Sequence, residues 1–242
     1  MPRKHRDVMA ILIADIVSGA TPTGDRLPRE VDLAEAFDVS RGVARETIRA
    51  MEERGLVRVT HGKGATVNAA EAWNVFDTEV LSATLKTERG SELLADYLEC
   101  RRILEIEAAG LAAERATERD RERLATALAR MEDAASHPAA DGTEEAFHHA
   151  DIAFHEALIA ATGNRALGSM VGHIQSGLLL ARYPLARPQH RKDRGLPEHR
   201  RLCAAVAAGD RDEARRAMSD HLDTIARYLE EHRANGAATR DA

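Results

Sequence analysis

The sequence has few cysteines and no long apolar run. Only two of its 242 residues are cysteine, and they form no CxxC pair, which excludes a disulfide framework and a cysteine-rich metal site and fits a reducing compartment. No apolar run approaches the ~18 residues of a membrane span. The chain begins with a segment that leads into an amphipathic helix and not into a signal-peptide core. We therefore expect a cytoplasmic protein with no membrane partner.

Aromatic residues and an excess of positive charge are also lacking. Aromatics make up 3% of the chain, and Ala, Leu, Arg and Glu are abundant, which favours helix over sheet. The net charge is −6, divided as +1 over residues 1–68 and −7 over the rest. This difference in charge indicates that the two parts of the chain have different functions. Because +1 is not a strongly basic balance, any nucleic-acid interpretation depends on where the positive charges sit.

The first 68 residues predict three helices followed by a β-hairpin. Pro28 suits the first turn of the second helix, and Ser40 is a good N-cap for the third. A glycine-rich turn joins the two strands. The predicted elements are helices at about 6–18, 28–37 and 40–54 and strands at 56–60 and 65–67.

Three arginines spaced four residues apart lie on one flank of the predicted third helix, about 100° from its apolar stripe. They are Arg41, Arg45 and Arg49. Together with Ser40 and the helix N-terminus, they suit phosphates and guanine edges in a major groove. The alternative is a solvated basic face paired with nearby glutamates. The hairpin turn bears His61 and Lys63 and suits a wing on the DNA backbone or minor groove, which favours the DNA interpretation.

Residues 8–68 resemble the winged helix-turn-helix of GntR-family bacterial transcription regulators. The resemblance is carried by LPRE at 27–30, LAE at 33–35, VSR at 39–41, ARETIR at 44–49, ERGLV at 53–57 and GKG at 62–64. It implies DNA contacts from Ser40, Arg41 and Arg45, bases close to Gly42 and Val43, and wing contacts from His61 and Gly62. Arg49 and Lys63 join this set from the charge pattern.

Two positions depart from the family pattern. Val31 stands where many relatives carry a DNA-contacting arginine, and Arg29 is the nearest substitute. Asp38 replaces the usual turn glycine. Aspartate tolerates a left-handed backbone better than most residues, so we expect the turn to survive.

Residues 69–90 are expected to form a linker with one short helix, in which Trp73 and Phe76 are hydrophobic anchors. After the linker, apolar positions predict only helices, at about 91–115, 118–135, 141–162, 165–182, 196–208 and 211–233. We thus expect a mainly α protein, with a winged helix-turn-helix and two-stranded wing at 1–68 and an all-α bundle at 91–235. Such a bundle can close around a ligand.

Asp151 and His155 lie four residues apart on one predicted helix and project side by side, a spacing that suits two ligands of one metal. Taken alone, such a pair is more often a hydrogen-bonded surface couple. A second resemblance favours the metal-binding interpretation over the surface pair. The segments ECRRILE at 99–105, DIAFH at 151–155, EHR at 198–200 and AMSDHL at 217–222 look like the helical effector-binding domain of the FadR subfamily, the FCD domain.

The FCD resemblance implies a divalent metal, whose ligands would be Asp151, His155, His199 and His221. One carboxylate and three imidazoles suit zinc first, with nickel as an alternative. Arg101 matches a position where relatives direct an arginine at a carboxylate-bearing effector. Its other interpretation is a salt bridge with Glu105.

The favoured function is a homodimeric, metabolite-responsive regulator, expected to be a repressor of catabolic genes. It would bind an inverted repeat in double-stranded DNA and a small carboxylate, such as a sugar acid or hydroxy acid, beside the metal. The second hypothesis is a DNA-binding regulator with a structural metal and no small-molecule response. An enzyme is disfavoured, because HEALI at 155–159 lacks the second histidine of an HExxH site.

Overall fold

The computed structural model describes residues 3–136, 143–180 and 195–238. In these residues the protein is mainly helical with one antiparallel two-stranded sheet, as the sequence predicts. The predicted helix start at 141 and helix end at 182 lie outside the described residues. The elements are α1 (Arg3–Ser18), α2 (Glu30–Ala36), α3 (Arg41–Glu53), β1 (Val57–Thr60), β2 (Gly64–Val67), a 3-10 turn (Ala70–Ala72), α4 (Thr78–Thr84), α5 (Gly90–Arg115), α6 (Glu118–Ser136), α7 (Thr143–Ala161), α8 (Arg165–Leu180), α9 (Leu196–Ala208) and α10 (Arg211–Ala238).

The chain divides into two compact units. In the described residues, the first unit holds residues 3–97 and the end of α8 from Ser176, and the second holds residues 98–175 and 195–238. Helices α5 and α8 therefore each contribute residues to both units.

The α3 helix begins where its sequence predicts. The Ser40 side chain accepts a hydrogen bond from the Val43 N–H (3.2 Å), which satisfies one of the unpaired donors of the first turn. The predicted apolar stripe of Ala44, Ile48 and Met51 is buried, so the opposite flank is left at the surface. The α2 helix differs from expectation. It starts at Glu30 with Arg29 as its N-cap, so Pro28 precedes the helix instead of entering its first turn.

The turn between α2 and α3 survives without glycine. Asp38 has φ 49° and is the non-glycine residue with positive φ among those described. The Lys4 ammonium donates to the Asp38 carbonyl oxygen (3.0 Å) and to its carboxylate (3.2 Å). The first turn of α1 thus holds this left-handed residue in place.

The wing is a short hairpin with Val57 paired to Val67 and Thr60 paired to Gly64. Val57 and Val67 face the core of the first unit, whereas residues 58–64 are exposed. Gly62 and Gly64 adopt φ of 74° and 86°, which a side chain would strain.

Only one of the two expected linker anchors is buried. Trp73 is 8% exposed, whereas Phe76 is 48% exposed, so the prediction for Phe76 is wrong. Phe76 precedes α4 in a loop, and its ring touches Tyr97 (centroids 5.8 Å apart) without entering the core. In place of Phe76, the second apolar anchor of this segment comes from Val80 and Leu81 of α4, which are both buried.

The second unit has a core dominated by alanine and a few large side chains. Close alanine packing lets the helices approach each other, while Phe154, Met131 and Met218 fill the space between them. The α10 helix runs through the Asn235–Gly236 pair to Ala238, beyond the predicted end near 233. Asparagine and glycine cost a helix at most about 1 kcal/mol each, which does not compel a stop.

The turn after α3 yields a stability prediction. Gly55 has φ +72°, and a Cβ there would lie 2.0 Å from the Ala72 carbonyl oxygen. Gly19 has φ +83°, but a Cβ there would meet nothing within 4 Å. We expect Gly19→Ala to lower the free energy of unfolding by about 1–2 kcal/mol through backbone strain alone. Gly55→Ala should cost about 1–3 kcal/mol more because of the added clash.

The measurement is urea unfolding followed by the fluorescence of Trp73, the single tryptophan, which lies in the same unit. Equal destabilisation by the two variants would show that the Ala72 contact is not made in solution.

Candidate functional site

The free flank of α3 carries the predicted arginines, which differ in how they are paired. Arg41, Arg45 and Arg49 are all exposed. Arg49 lies 3.3 Å from the Glu53 carboxylate, whereas Arg41 and Arg45 form no ion pair within the part of the chain that the structure describes. Two of the three guanidiniums are thus available to an anion, and the third is shared with its own helix.

The N-terminus of α3 adds polar groups to this flank. The Ser40 oxygen accepts from the Val43 N–H, which leaves the hydroxyl proton available for a phosphate. Gly42 is exposed, and Val43 is half-buried. Without a side chain, Gly42 permits close approach of a nucleic-acid backbone.

The wing and α2 supply the remaining predicted residues. His61, Gly62 and Lys63 are exposed at the tip of the hairpin. Arg29 is exposed, but its guanidinium lies 3.1 Å from Asp32, so its charge is shared. Arg58 is exposed on β1 and was not predicted. The alternation of Val57 inward and Arg58 outward is the signal that identifies it.

Three of the four predicted metal ligands converge in the core of the second unit. They are His155 on α7, His199 on α9 and His221 on α10, and one ring nitrogen of each lies within 4.8 Å of the others. All three side chains are buried. The fourth predicted ligand lies beside them, with Asp151 Oδ1 at 3.1 Å from His199 Nε2 and 3.9 Å from His155 Nε2.

Each histidine has an oxygen atom close to its Nδ1 atom. His155 Nδ1 lies 3.0 Å from Glu105 Oε2, and His221 Nδ1 lies 3.0 Å from Glu198 Oε2. His199 Nδ1 lies 2.7 Å from the Gly195 carbonyl oxygen. A carbonyl oxygen and an ionised carboxylate only accept hydrogen bonds, so in His199 and His221 the proton belongs on Nδ1. The Glu105 carboxylate beside His155 Nδ1 favours the same tautomer, although the two atoms are not aligned as a hydrogen bond.

The Nδ1–H tautomer leaves a lone pair on Nε2, which in all three rings is buried without a hydrogen-bond partner among the described residues. Burial and the neighbouring imidazoles also lower the pKa of His221 well below its usual range, which keeps this ring neutral. Buried acceptors that face one another without a donor are unfavourable, and a cation between them removes the penalty. The residues therefore fit a divalent metal.

Arg101 and Glu105 form a buried ion pair on α5. Arg101 Nε donates to Glu105 Oε1 (2.8 Å), and the two side chains are 6% and 0% exposed. Burial opposes the charge of Glu105, but Arg101 and His155 outweigh it and lower the pKa of this carboxyl to about 2. The salt bridge named as the other interpretation of Arg101 is thus present, and Glu105 touches a predicted metal ligand as well.

Sequence reasoning missed Glu105 and Glu198 as parts of this cluster. The sequence predicts Glu105 only as a partner of Arg101, and Glu198 enters only as part of the EHR segment. The i, i+4 spacing from Arg101 gives one signal for Glu105. For Glu198, nothing in the sequence indicates that its partner is His221 on the next helix.

The comparisons with known proteins agree with this arrangement. Residues 4–67 match the family described as bacterial regulatory proteins, gntR family, and residues 96–224 match the FCD domain. The HTH-type transcriptional regulator LutR of Bacillus subtilis is 36% identical over 90% of this chain and 99% of its own length. The galactonate operon transcriptional repressor of Escherichia coli is 31% identical over 93% of this chain and 96% of its own length.

Solved structures are also similar. Streptococcus agalactiae GntR superposes with a TM-score of 0.52 at 25% identity, over 93% of this chain and 99% of that one. Lar, which controls the expression of the Listeria monocytogenes agr system, reaches a TM-score of 0.60 at 18% identity, over 96% and 98% of the two chains, and supports the fold alone. Among the described helices, none combines the length and apolarity that a membrane crossing requires. The chain belongs to the GntR family of bacterial regulatory proteins, carries an FCD domain, and is a DNA-binding transcription regulator and not an enzyme.

Proposed function

We propose that this regulator is a homodimeric repressor whose FCD domain holds a divalent metal and responds to a small carboxylate. The observation that carries the proposal is the set of three buried Nε2 atoms that converge without a hydrogen-bond donor among the described residues. The proposed domains are DNA-binding at 1–68, linker at 69–90 and effector- and metal-binding at 91–235.

The proposed DNA contacts come from α3, the wing and the start of α2. Arg41 and Arg45 reach base edges or phosphates, because their guanidiniums are exposed and not engaged in an ion pair within the described residues. The other contacts are assigned to Arg29, Ser40, Gly42, Val43, Arg49, His61, Gly62 and Lys63. Two copies related by a two-fold axis would read an inverted repeat. Bacterial DNA lies in the cytoplasm, so we propose that the protein acts there.

The proposed metal ligands are Asp151, His155, His199 and His221. Their donors are one carboxylate oxygen and three imidazole nitrogens, a set that suits zinc, with nickel as the alternative. When bound, such an ion would supply positive charge with which a carboxylate could interact.

The effector class is inferred from relatives and from Arg101. The galactonate operon repressor and the Uxu operon regulator of Escherichia coli, the latter 29% identical, carry operon names. The galactonate name suggests a sugar acid, and a hydroxy acid has the same carboxylate chemistry. Arg101 supports this class because its guanidinium has five N–H donors and Glu105 engages only some of them.

A second candidate function is a repressor in which the metal is structural and no small molecule acts. The observation in its favour is the Arg101–Glu105 ion pair, since Arg101 is only 5% exposed and already has a carboxylate partner. The two candidates differ in whether a carboxylate changes the protein.

The DNA assignment predicts the effect of Arg45→Ala. We expect operator affinity to fall about 5- to 150-fold, since a bidentate arginine–guanine contact is worth about 1–3 kcal/mol. The probe is a duplex that the wild-type protein selects from a random-sequence pool, and the readout is the Kd at fixed salt. Arg119→Ala is the matched control, because Arg119 is an exposed arginine on α6 and its loss changes the net charge equally. Equal affinities for the two variants would contradict the assignment.

The metal assignment predicts one divalent ion per chain. The metal-stripped protein should take up one equivalent of Zn²⁺, with a rise in Tm because the ion binds only the folded state. His199→Ala should lose both the uptake and the rise in Tm. His149→Ala is the control, because His149 is an exposed histidine of α7 and is not one of the three clustered residues. Uptake by the His199→Ala variant equal to wild type would remove the proposed site.

The effector assignment predicts a carboxylate-dependent thermal shift. Zn²⁺-loaded protein is titrated with D-galactonate and with L-lactate, and a ligand at 100 times its Kd should add about 2.7 kcal/mol of stability. Arg101→Lys keeps the charge beside Glu105 but lacks the further guanidinium N–H donors, so it should reduce the shift while Zn²⁺ uptake persists. If neither acid nor a wider panel of aldonates and hydroxy acids shifts the wild-type Tm, the second candidate function is supported instead.

A further inference from the structure

The supports of the three histidines differ in where they come from. Glu105 on α5 contacts His155 on α7, and Glu198 on α9 contacts His221 on α10. His199 is supported by the Gly195 carbonyl at the start of its own helix. Two carboxylates therefore connect pairs of helices at the centre of the second unit, each through a ring nitrogen that does not face the cluster.

We propose that Glu105 and Glu198 are positioning residues that set the tautomer and orientation of His155 and His221 for the metal. The proposal rests on the proposed function, because it assumes that an ion is bound by these imidazoles. It adds two residues that do not belong to the ligand set.

Both oxygens of Glu198 are engaged. Oε2 lies 3.0 Å from His221 Nδ1, and Oε1 accepts a hydrogen bond from the Thr224 hydroxyl (2.6 Å). His221 and Thr224 are on the same helix, so the carboxylate is fixed at two points and its orientation toward the ring is set. Glu198 also precedes His199 in the chain. One turn of α9 thus supplies one ligand and the support of another.

Both oxygens of Glu105 are engaged as well, but its partners differ. Oε1 accepts from Arg101 Nε (2.8 Å), and Oε2 lies 3.0 Å from His155 Nδ1. The side chain is fully buried. Glu105 therefore joins the proposed effector arginine to a proposed metal ligand, which Glu198 does not.

A carboxylate on Nδ1 does two things for a metal-binding histidine. It holds the proton on Nδ1, which leaves the Nε2 lone pair toward the ion, and it raises the basicity of the ring. Loss of such a partner typically weakens metal affinity 10–100-fold. The Gly195 carbonyl oxygen fixes the same tautomer in His199 but carries less negative charge than a carboxylate. We therefore expect it to contribute less to metal binding than Glu105 or Glu198 does.

The first experiment uses Glu198, because its side chain is 19% exposed and its removal leaves no fully buried partner charge. Zn²⁺ affinity of the full chain is measured by competition with a chromophoric chelator at fixed pH. We expect Glu198→Ala to raise the Kd by 10–100-fold. Glu213→Ala is the control, since Glu213 pairs with Arg201 and Arg216 away from the histidines and should leave the Kd unchanged.

The test of Glu105 needs a variant in which the buried charge of Arg101 is removed as well. Glu105→Gln alone leaves the buried Arg101 charge without its partner and can unfold the protein. Arg101→Met combined with Glu105→Gln removes both charges, and we expect this double variant to bind Zn²⁺ at least tenfold more weakly than wild type. Arg101→Lys keeps both Glu105 and a positive charge beside it, and serves as the comparison.

A spectroscopic readout separates positioning from general loosening of the fold. In the metal-free protein, ¹⁵N imidazole shifts should report the Nδ1–H tautomer for His221, and Glu198→Ala should convert it to a mixture while His199 keeps its tautomer. A Glu198→Ala protein with unchanged Zn²⁺ affinity and an unchanged His221 tautomer overturns the inference and leaves the proposed function intact. A wild-type protein that binds no Zn²⁺ overturns both.

Discussion

The second unit depends on one constraint: three imidazoles converge inside an apolar core, and their Nε2 atoms have no hydrogen-bond partner among the described residues. Each buried acceptor without a donor costs about 1–3 kcal/mol, so the arrangement is costly unless a cation is shared among His155, His199 and His221. The surrounding core makes the convergence possible, because small alanine side chains allow close helix approach. Tight packing and an unsatisfied polar centre are thus two parts of one arrangement, in which the apolar contacts offset a penalty that the proposed ion would remove.

The DNA-binding unit depends on the position of charge and not on its amount. A net charge of +1 over residues 1–68 gives little general attraction to DNA, and Arg29 and Arg49 are already shared with Asp32 and Glu53. The other two arginines of α3, Arg41 and Arg45, form no ion pair in the described residues and follow the capped N-terminus of this helix. The hairpin tip of the wing is exposed as well. A DNA-binding surface of this kind gains affinity from few contacts, so a second copy of it in the proposed dimer would matter more than it would for a strongly basic domain.

Local periodicity was enough to predict the fold, and it failed where contacts come from distant parts of the chain. The burial of Ala44, Ile48 and Met51 follows from helical spacing, and Ser40 follows from cap chemistry. Asp151 and His155 are neighbours on one helix, so their proximity is predictable, whereas His199 and His221 required the family resemblance. Neither local periodicity nor the family resemblance predicts the contact of Glu198 with His221 or the exposure of Phe76, because both depend on which helix or loop packs next to the residue.

The charges around the histidines also bear on what the site can accept. Three carboxylates, from Asp151, Glu105 and Glu198, and one guanidinium, from Arg101, surround the rings, so acidic groups outnumber the basic one and a divalent ion would offset the excess. Arg101 is part of this balance through Glu105, which explains why an arginine can be buried beside a cation site. The affinity of the proposed anionic effector would then come from direct hydrogen bonds to the unused edge of Arg101 and from the charge of the ion, because the surrounding carboxylates do not attract an anion. The two candidate functions therefore separate on whether that guanidinium edge can be reached.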